Sequence, residues 1–204
     1  MITQPSILNG PTVYETGASG GGDELQLNKN KYHVIELSGY KWFVENLDED
    51  IAGINYSTTF SNIPNRCYPN NNSNNAGYGQ LYNSACISII ENYVQNITGE
   101  NWQIPTKEII DILITDFTQM QLRNKIGWSF NNNGNNESGF SALPAGYYYS
   151  NSWSSGDENH ILTKTKYNDS YSGQNMYRVL IRNGLFVWNQ SQYTGNSIRL
   201  CKPL

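Results

Sequence analysis

The sequence predicts an α+β fold, and the order of its apolar patterns is the main reason. Residues 24–47 alternate apolar and polar side chains as strands do, and residues 82–117 repeat apolar side chains every three or four positions as helices do. From Phe140 onward, short apolar stretches are separated by segments rich in Asn, Ser and Gly. We therefore predict strands, then two helices, then a loop-rich antiparallel β half, with 15 Tyr, 6 Phe and 5 Trp to fill the core.

An extended arm, residues 1–22, is expected to precede a domain formed by residues 23–204. Pro5 and Pro11 oppose regular structure, and the glycine-rich run from Gly17 to Gly22 suits a flexible joint. The arm lacks the basic start and the apolar stretch of a signal peptide, so we expect a protein made in the cytoplasm. An arm of this composition does not order itself, and we expect it to dock onto a partner protein.

The domain is expected to begin with a hairpin and a further strand. Leu25 and Leu27 alternate with polar residues, Asn28–Asn30 suits a turn, and Tyr32 resumes the alternation. A third strand with large aromatic anchors is predicted over Gly39–Leu47.

Two amphipathic helices are expected next, each with an apolar stripe that faces the core. The stripe of the first helix comprises Tyr82, Ala85, Ile89, Tyr93 and Ile97. The second helix begins at Thr106, whose hydroxyl suits the N-cap position, and Glu108 complements its positive end. The stripe of the second helix comprises Ile109, Leu113 and Phe117, flanked by Ile110 and Ile114.

The clearest local signal in the β half is the pair Asn183-Gly184. It lies between "YRVLI" and "LFVW", two stretches with strand-like alternation, and this arrangement is the strongest short-range sign of a β-hairpin. Further strands are expected in "GYYYS", "NHILTKTKY" and "SIRLCK".

Several sequence blocks resemble, in the same order, motifs of the Fibrobacter succinogenes major paralogous domain family. They are "GYKWFVENL" from Gly39, "CY" at Cys67, "YGQLYN" from Tyr78, "WQIPTKEIIDIL" from Trp102, "GW" at Gly127, "ESGFSALPAGYY" from Glu137 and "SIRLCK" from Ser197. The resemblance covers about residues 39–204 and implies a C-type-lectin-like domain. Where these blocks meet, we expect one core formed by Trp42, Trp102, Trp128, Phe140 and Leu143.

Charge and composition exclude several classes of function. The net charge is −4 and no block of Lys or Arg occurs, so we do not expect a nucleic-acid groove, which needs clustered cations. No apolar stretch of the sequence is long enough to cross a bilayer.

Catalysis and metal binding are not expected either. His160 follows Ser155, Asp157 and Glu158, but neighbours on a loop do not by themselves provide the convergent geometry that catalysis needs. Asp157, Glu158 and Asp169 are few acids for a calcium site, and the calcium-dependent sugar-binding motifs of lectin-like proteins are absent. We therefore expect no cofactor, no metal and no enzymatic activity.

The three cysteines lack the spacing of a metal site, and an odd number cannot form a fully paired disulfide framework. Cys86 is expected to be buried, whereas a pairing between Cys67 and Cys201 stays open. His33 lies in a predicted strand and is expected to be structural.

The second half of the chain predicts a ligand-binding surface. Tyr, Ser, Gly and Asn dominate residues 131–196, as they do in antibody loops, where Tyr provides contact area and the small polar residues provide adaptable hydrogen bonds. The candidate ligand-binding residues are Tyr147, Tyr149, Trp153, Tyr171, Trp188 and Tyr193. The alternative is ordinary aromatic filling of a loop-rich domain.

Taken with the resemblance, these features favour a non-enzymatic virion protein of a bacteriophage, such as a head or tail fibre or a decoration protein. Its arm would dock onto other virion proteins, and its lectin-like domain would bind a glycan or protein of the host surface. We expect a homo-oligomer, with a trimer as one candidate. Two alternatives stay open: a secreted, surface-associated bacterial binding domain, and an enzyme related through the lectin-like fold to sulfatase-modifying proteins.

Overall fold

The N-terminal hairpin and the C-terminal end of the chain meet in one sheet. The structure is a computed structural model that describes residues 23–129, 132–150, 152–154, 157–169, 173–182 and 184–204. The predicted arm, residues 1–22, therefore lies outside the described residues, as do Ser155 and Tyr171. Within the described ranges the protein is a mixed α+β structure with several sheets and few helices, in agreement with the predicted class.

The first sheet has the strand order β1-β2-β3-β13, with β1 (Glu24–Gln26), β2 (Lys31–Leu37), β3 (Tyr40–Phe43) and β13 (Cys201–Pro203). The predicted hairpin is confirmed: β1 and β2 are antiparallel, and the Leu27 N–H donates to the Asn30 carbonyl across the turn at 2.9 Å. The strand predicted over Gly39–Leu47 ends early, at Phe43. The Phe43 N–H donates to the Leu200 carbonyl and the Leu47 N–H to the Ile198 carbonyl, so this segment lies beside the C-terminal one.

The second sheet has the order β11-β10-β9-β12-β6-β5-β4. Its strands are β4 (Asn55–Tyr56), β5 (Asn65–Cys67), β6 (Leu81–Tyr82), β9 (Asn159–Asp169), β10 (Gly173–Ile181), β11 (Leu185–Ser191) and β12 (Asn196–Ser197). The predicted pairing of the strands that flank Asn183-Gly184 is confirmed, because β10 and β11 pair antiparallel with Ile181 opposite Leu185; Asn183 itself lies outside the described residues. Strands β4 to β6 were not predicted, since two or three residues are too few to show alternation.

A two-stranded sheet, β7 (Tyr147–Tyr149) with β8 (Ser152–Ser154), lies against the second sheet. Tyr148 forms an antiparallel bridge with Gly195, and the two residues exchange both backbone hydrogen bonds at 2.9 Å. This contact places the tyrosine strand next to the segment that connects β11 to β12.

The first helix, α1 (Ile87–Thr98), starts later than predicted, and its predicted stripe is correct only at Ile89 and Tyr93, which are half-buried against the core. Tyr82 belongs to β6 and Ala85 to a short 3-10 turn, so the predicted stripe is wrong at its start. The buried residues of α1 are Ile90 and Val94, one position after Ile89 and Tyr93, and Ile97 is exposed. Several apolar residues stand next to one another here, so spacing alone does not decide which of them turns inward.

The second helix, α2 (Lys107–Asp116), follows the prediction closely, and a short α3 (Gln119–Leu122) comes after it. The Thr106 hydroxyl accepts a hydrogen bond from the Ile109 N–H at 3.4 Å, as expected of an N-cap. Ile109, Ile110 and Leu113 are buried, whereas Phe117 lies just beyond the end of the helix. No helix among the described residues is long and apolar enough to span a membrane.

The predicted core is confirmed for four residues but is divided between two clusters. Trp42, Trp128 and Phe140 pack with α2, and the ring centroids of Trp42 and Phe140 lie 5.6 Å apart. Trp102 is also buried but belongs to the other cluster, where its ring centroid lies 4.7 Å from that of Phe43. Leu143 is only half-buried, so the expectation of one common core was wrong.

A buried polar network connects the sequence blocks that carry the resemblance. Arg199, which is 1% exposed, donates from Nε to Asn46 Oδ1 at 2.9 Å, from Nη2 to the Ser141 carbonyl at 3.0 Å and from Nη1 to the Phe140 carbonyl. Asn46 in turn donates to the Tyr78 carbonyl at 2.9 Å. Blocks that lie far apart in the sequence are therefore joined by hydrogen bonds within one network.

Gly79 shows why one of these blocks contains a glycine. Its φ is +76°, and a Cβ built there would lie 2.7 Å from the Asn46 Cβ and 2.9 Å from the Asn46 carbonyl oxygen. Any other residue at position 79 would be strained by the positive φ and would clash with Asn46.

Candidate functional site

The tyrosine strand β7 presents alternate side chains to the core and to solvent, as predicted. Tyr148 is 7% exposed and packs against Phe60, with ring centroids 5.7 Å apart. Tyr149 is 50% exposed, and Tyr147 is half-buried. The outward face of this strand therefore consists mainly of Tyr149.

Tyr147 is held by a buried histidine and does not project freely from the surface. Its ring stacks on that of His160 with the centroids 4.3 Å apart and an interplanar angle of 16°. The Arg178 guanidinium carbon lies 5.0 Å from the Tyr147 ring centroid, in the range of a cation–π contact.

His160 is 1% exposed and uncharged at neutral pH. Burial lowers the pKa of His160 to about 4; Glu158 opposes this shift, and the Arg178 charge adds to it. An arginine side chain can only donate, so its contact with His160 Nδ1 makes that atom the acceptor and leaves the proton on Nε2. The Nε2 atom lies 3.3 Å from Glu158 Oε1, without the alignment of a hydrogen bond.

Trp153, another predicted site residue, is half-buried. Its indole N–H donates to the Ala145 carbonyl at 3.2 Å, and its ring packs against the cluster formed by Cys67, Leu81, Ala145 and Tyr148. This indole supports the hairpin and offers only part of its surface to a ligand.

An open groove of about 420 Å³ lies where five separate segments meet. These segments are the loop after β4, the start of α1, the middle of β9, the middle of β10 and the turn after β11. Its polar lining consists of Ser61, Asn62, Ser84, Ser88, Lys164, Lys166 and Gln192. Met176 on β10 is buried and lines the groove with an apolar surface, together with Ala85 and Ile87.

Among the predicted site residues whose side chains the structure describes, Tyr193 lines this groove, and it is 42% exposed. The turn that carries it is fixed by several hydrogen bonds, two of which involve a side chain. The Tyr193 N–H donates to Ser191 Oγ at 3.3 Å, and the Ser84 hydroxyl donates to the Gln192 carbonyl at 3.0 Å. The second contact connects the turn to the segment before α1.

Two predicted site residues lie where the structure gives no side-chain description. Trp188 is on β11, opposite Arg178 of β10 in the strand register, and its side chain is not described. Tyr171 lies outside the described residues, as does Ser155. The expectation of a single patch of six aromatic residues therefore stays a prediction, supported so far by the exposure of Tyr149 and Tyr193.

A second hollow, of about 580 Å³, lies beside β2, but several of its charged side chains already have partners within the protein. His33 Nδ1 lies 2.6 Å from Glu45 Oε1, and Asp48 lies 2.9 Å from Lys29 Nζ. Its aromatic lining residue, Tyr32, is buried. The groove with Tyr193 combines an exposed aromatic ring with polar and apolar lining residues, and it is the better candidate for a ligand site.

Among the chemically reactive residues that the sequence singled out, the structure describes the side chains of Asp157, Glu158, His160 and the three cysteines. Among the described residues, no group of three or more His, Cys, Asp or Glu side chains could hold a metal ion, and the side chain of Asp169 is not described. Cys67, Cys86 and Cys201 are free and buried, and burial raises the pKa of each thiol to about 12. Cys67 and Cys201 belong to different hydrophobic clusters.

Most residues of the groove were missed by sequence reasoning. Ser61, Ser84 and Gln192 come from segments far apart in the chain, and small polar residues are abundant throughout it. One signal was present: Lys164 and Lys166 are separated by one residue in a predicted strand, which places both side chains on one face.

Comparison with known proteins gave no relatives for this chain: no family model matches it, and neither the curated proteins nor the solved structures include a significant match. The resemblance to the major paralogous domain family therefore rests on the sequence blocks alone. The α+β class is established, and the C-type-lectin-like fold stays a prediction.

Proposed function

We propose that this chain is a non-enzymatic binding protein whose β-rich half attaches to a glycan or protein on a host surface. The observation that carries the proposal is the open groove beside Tyr193, lined by hydroxyl, amide and ammonium groups around a partly apolar surface. Such a lining offers many hydrogen-bond partners and a ring for stacking, which suits a polar ligand with apolar faces.

The state of the reactive side chains favours binding over nucleophilic catalysis. The thiolate is the reactive form of cysteine, and burial keeps all three thiols protonated at neutral pH. His160 is neutral, but its ring is covered by Tyr147 and contacted by Arg178, so it is poorly placed to accept a proton from a substrate.

The finer proposal is a bacteriophage virion protein that displays a C-type-lectin-like domain related to the major paralogous domain. Two observations support this proposal. The sequence blocks occur in the same order as the family motifs, and the hydrogen bonds of Arg199 and Asn46 connect those blocks. Residues 1–22 would dock onto other virion proteins, and the joint from Gly17 to Gly22 would allow the domain to project. Assembly as a homo-oligomer, with a trimer as one candidate, would strengthen weak single-site binding. The rival placement is a secreted, surface-associated bacterial domain with the same binding surface.

Substitution of the two exposed tyrosines tests the binding proposal. In the Tyr149→Ala/Tyr193→Ala double variant, attachment to host cells or to a glycan array should weaken by at least about tenfold, because aromatic anchors concentrate binding energy. The matched control is Tyr56→Ala on β4, a tyrosine of similar exposure that belongs neither to the groove nor to β7, and it should bind as the unmodified protein does. Unchanged attachment by the double variant would place the binding surface elsewhere.

A further inference from the structure

The groove carries a local positive charge in a protein whose net charge is −4. Lys164 and Lys166 both line it from the same face of β9, and Lys166 lies opposite Met176 of β10 in the strand register. Two cations beside an apolar surface attract an anion more effectively than the same cations spread over open solvent.

The two lysines differ in how much of their charge is available. Lys164 Nζ lies 3.2 Å from Glu91 Oε1, which also accepts the Ile104 N–H at 2.9 Å, so Lys164 is held in place and partly neutralised. Lys166 is exposed and forms no ion pair with any carboxylate whose side chain the structure describes. Its ammonium group is therefore the main cation open to a ligand.

The start of α1 adds to the positive potential of the groove. Ile87 and Ser88, in the first turn of this helix, line the groove, and the first turn contains no acidic residue. The N-terminus of a helix carries a partial positive charge that stabilises a nearby anion. This contribution supports the lysines but would be too weak and too general to define a site alone.

We propose that the groove binds an acidic saccharide, with a carboxylate or phosphate group on Lys166 and the sugar hydroxyls on the serine and amide side chains. The inference rests on the proposed binding function and specifies its ligand class. The 420 Å³ volume falls within the range of small-ligand sites, about 300–1,000 Å³. Two lysines are too few for a nucleic-acid backbone, whose recognition needs an extended row of cations.

The experiment compares charged and neutral saccharides with the same skeleton on the full chain by calorimetric titration. One pair is tri-galacturonate and its methyl ester, which tests a carboxylate; the other is mannose 6-phosphate and mannose, which tests a phosphate. In at least one pair, the charged member should bind about tenfold more tightly, and Lys166→Gln should remove that preference. Lys166 is exposed, so the variant should keep its melting temperature.

Lys107→Gln is the matched control, because it removes the same charge near the opposite face of β9. The Lys107 N–H donates to Thr165 Oγ1 at 2.9 Å, and Thr165 lies between the two groove lysines in the strand. This variant should keep the full preference for the charged probe.

Three outcomes would overturn the acidic-saccharide inference. Equal affinity for charged and neutral probes, lost together in Tyr193→Ala, would leave the proposed binding function intact and reject the anion. An equal effect of Lys166→Gln and Lys107→Gln would show that net charge alone sets the preference. No binding of any of the four probes at millimolar concentration would reject the saccharide, and the host-attachment assay would still decide the proposed function separately.

Discussion

Arg199 and Lys166 are both cations, but they lie in regions of the molecule that use polar groups in opposite ways. Arg199 is 1% exposed, and each of its three guanidinium nitrogens donates to an acceptor fixed by the fold. Lys166 is exposed at the rim of an open groove and has no described carboxylate as a partner. A buried polar group needs hydrogen-bond partners within the protein, whereas an exposed polar group can form hydrogen bonds with a ligand.

Two tyrosines, Tyr82 and Tyr193, show the same contrast between a buried and an exposed side chain. Tyr82 is fully buried, and its hydroxyl accepts from the Glu49 N–H at 3.1 Å and donates to the Glu49 carbonyl at 3.0 Å. Tyr193 is 42% exposed and lines the groove. The same residue type therefore stabilises the fold in one region and provides a contact surface in the other.

The largest expected effect comes from Arg199→Met. The substitution keeps a long side chain but leaves Asn46 Oδ1 and the carbonyls of Phe140 and Ser141 without their buried donor. We expect the free energy of unfolding to fall by about 3–5 kcal/mol, measured by urea denaturation. Lys166→Met, the same change at the exposed lysine, should alter it by less than about 0.5 kcal/mol. If both variants lost a similar amount of unfolding free energy, the difference in burial between Arg199 and Lys166 would not determine how much each residue contributes to stability.

An intermediate effect is expected from acid, acting through His160. The pKa of this histidine is about 4 in the folded protein against 6.5 when unperturbed, so the unfolded chain binds the proton more readily. The contribution of neutral His160 to stability is therefore complete above pH 6.5 and is lost as the pH falls from 6.5 to about 4. The loss over this window should approach about 3 kcal/mol.

The pH dependence of urea denaturation, measured in the unmodified protein and in His160→Gln, checks this expectation. Glutamine does not titrate, so the variant should lose the part of the slope between pH 6.5 and 4 that belongs to His160. An identical slope in both proteins would assign the acid sensitivity to the carboxylates.

Features that depend on neighbouring residues were predictable from the sequence. The turn before Lys31, the Thr106 cap and the β10–β11 hairpin all follow from short patterns, and the structure contains them. The most buried side chains of α1 were not predictable, because Ile89 and Ile90 satisfy the same helical spacing and both pack on the core, Ile90 fully buried and Ile89 half-buried.

Features that depend on distant residues could be predicted only in part. The sequence marked the blocks around Asn46, Phe140 and Arg199, but no local pattern indicates that Arg199 joins the other two. The exposed tyrosines were candidates from composition, yet the groove beside Tyr193 brings together five segments, and the small polar residues among its lining carry no pattern of their own. Trp153 was named as a ligand contact, and its partly buried hydrogen bond to Ala145 shows a structural role as well.

The smallest stability effect is expected on the outward face of β7 and at the groove. Tyr149 and Tyr193 are 50% and 42% exposed, so Tyr149→Ala and Tyr193→Ala should each change the free energy of unfolding by less than about 1 kcal/mol. Tyr148 provides the control within the same strand. It is 7% exposed against Phe60, and Tyr148→Ala should therefore cost about 3 kcal/mol or more through lost burial and the cavity that remains. Urea denaturation of the three variants measures this order directly. If Tyr149→Ala lowered the free energy of unfolding as much as Tyr148→Ala, both faces of β7 would be covered. Tyr149 would then not be part of a binding surface.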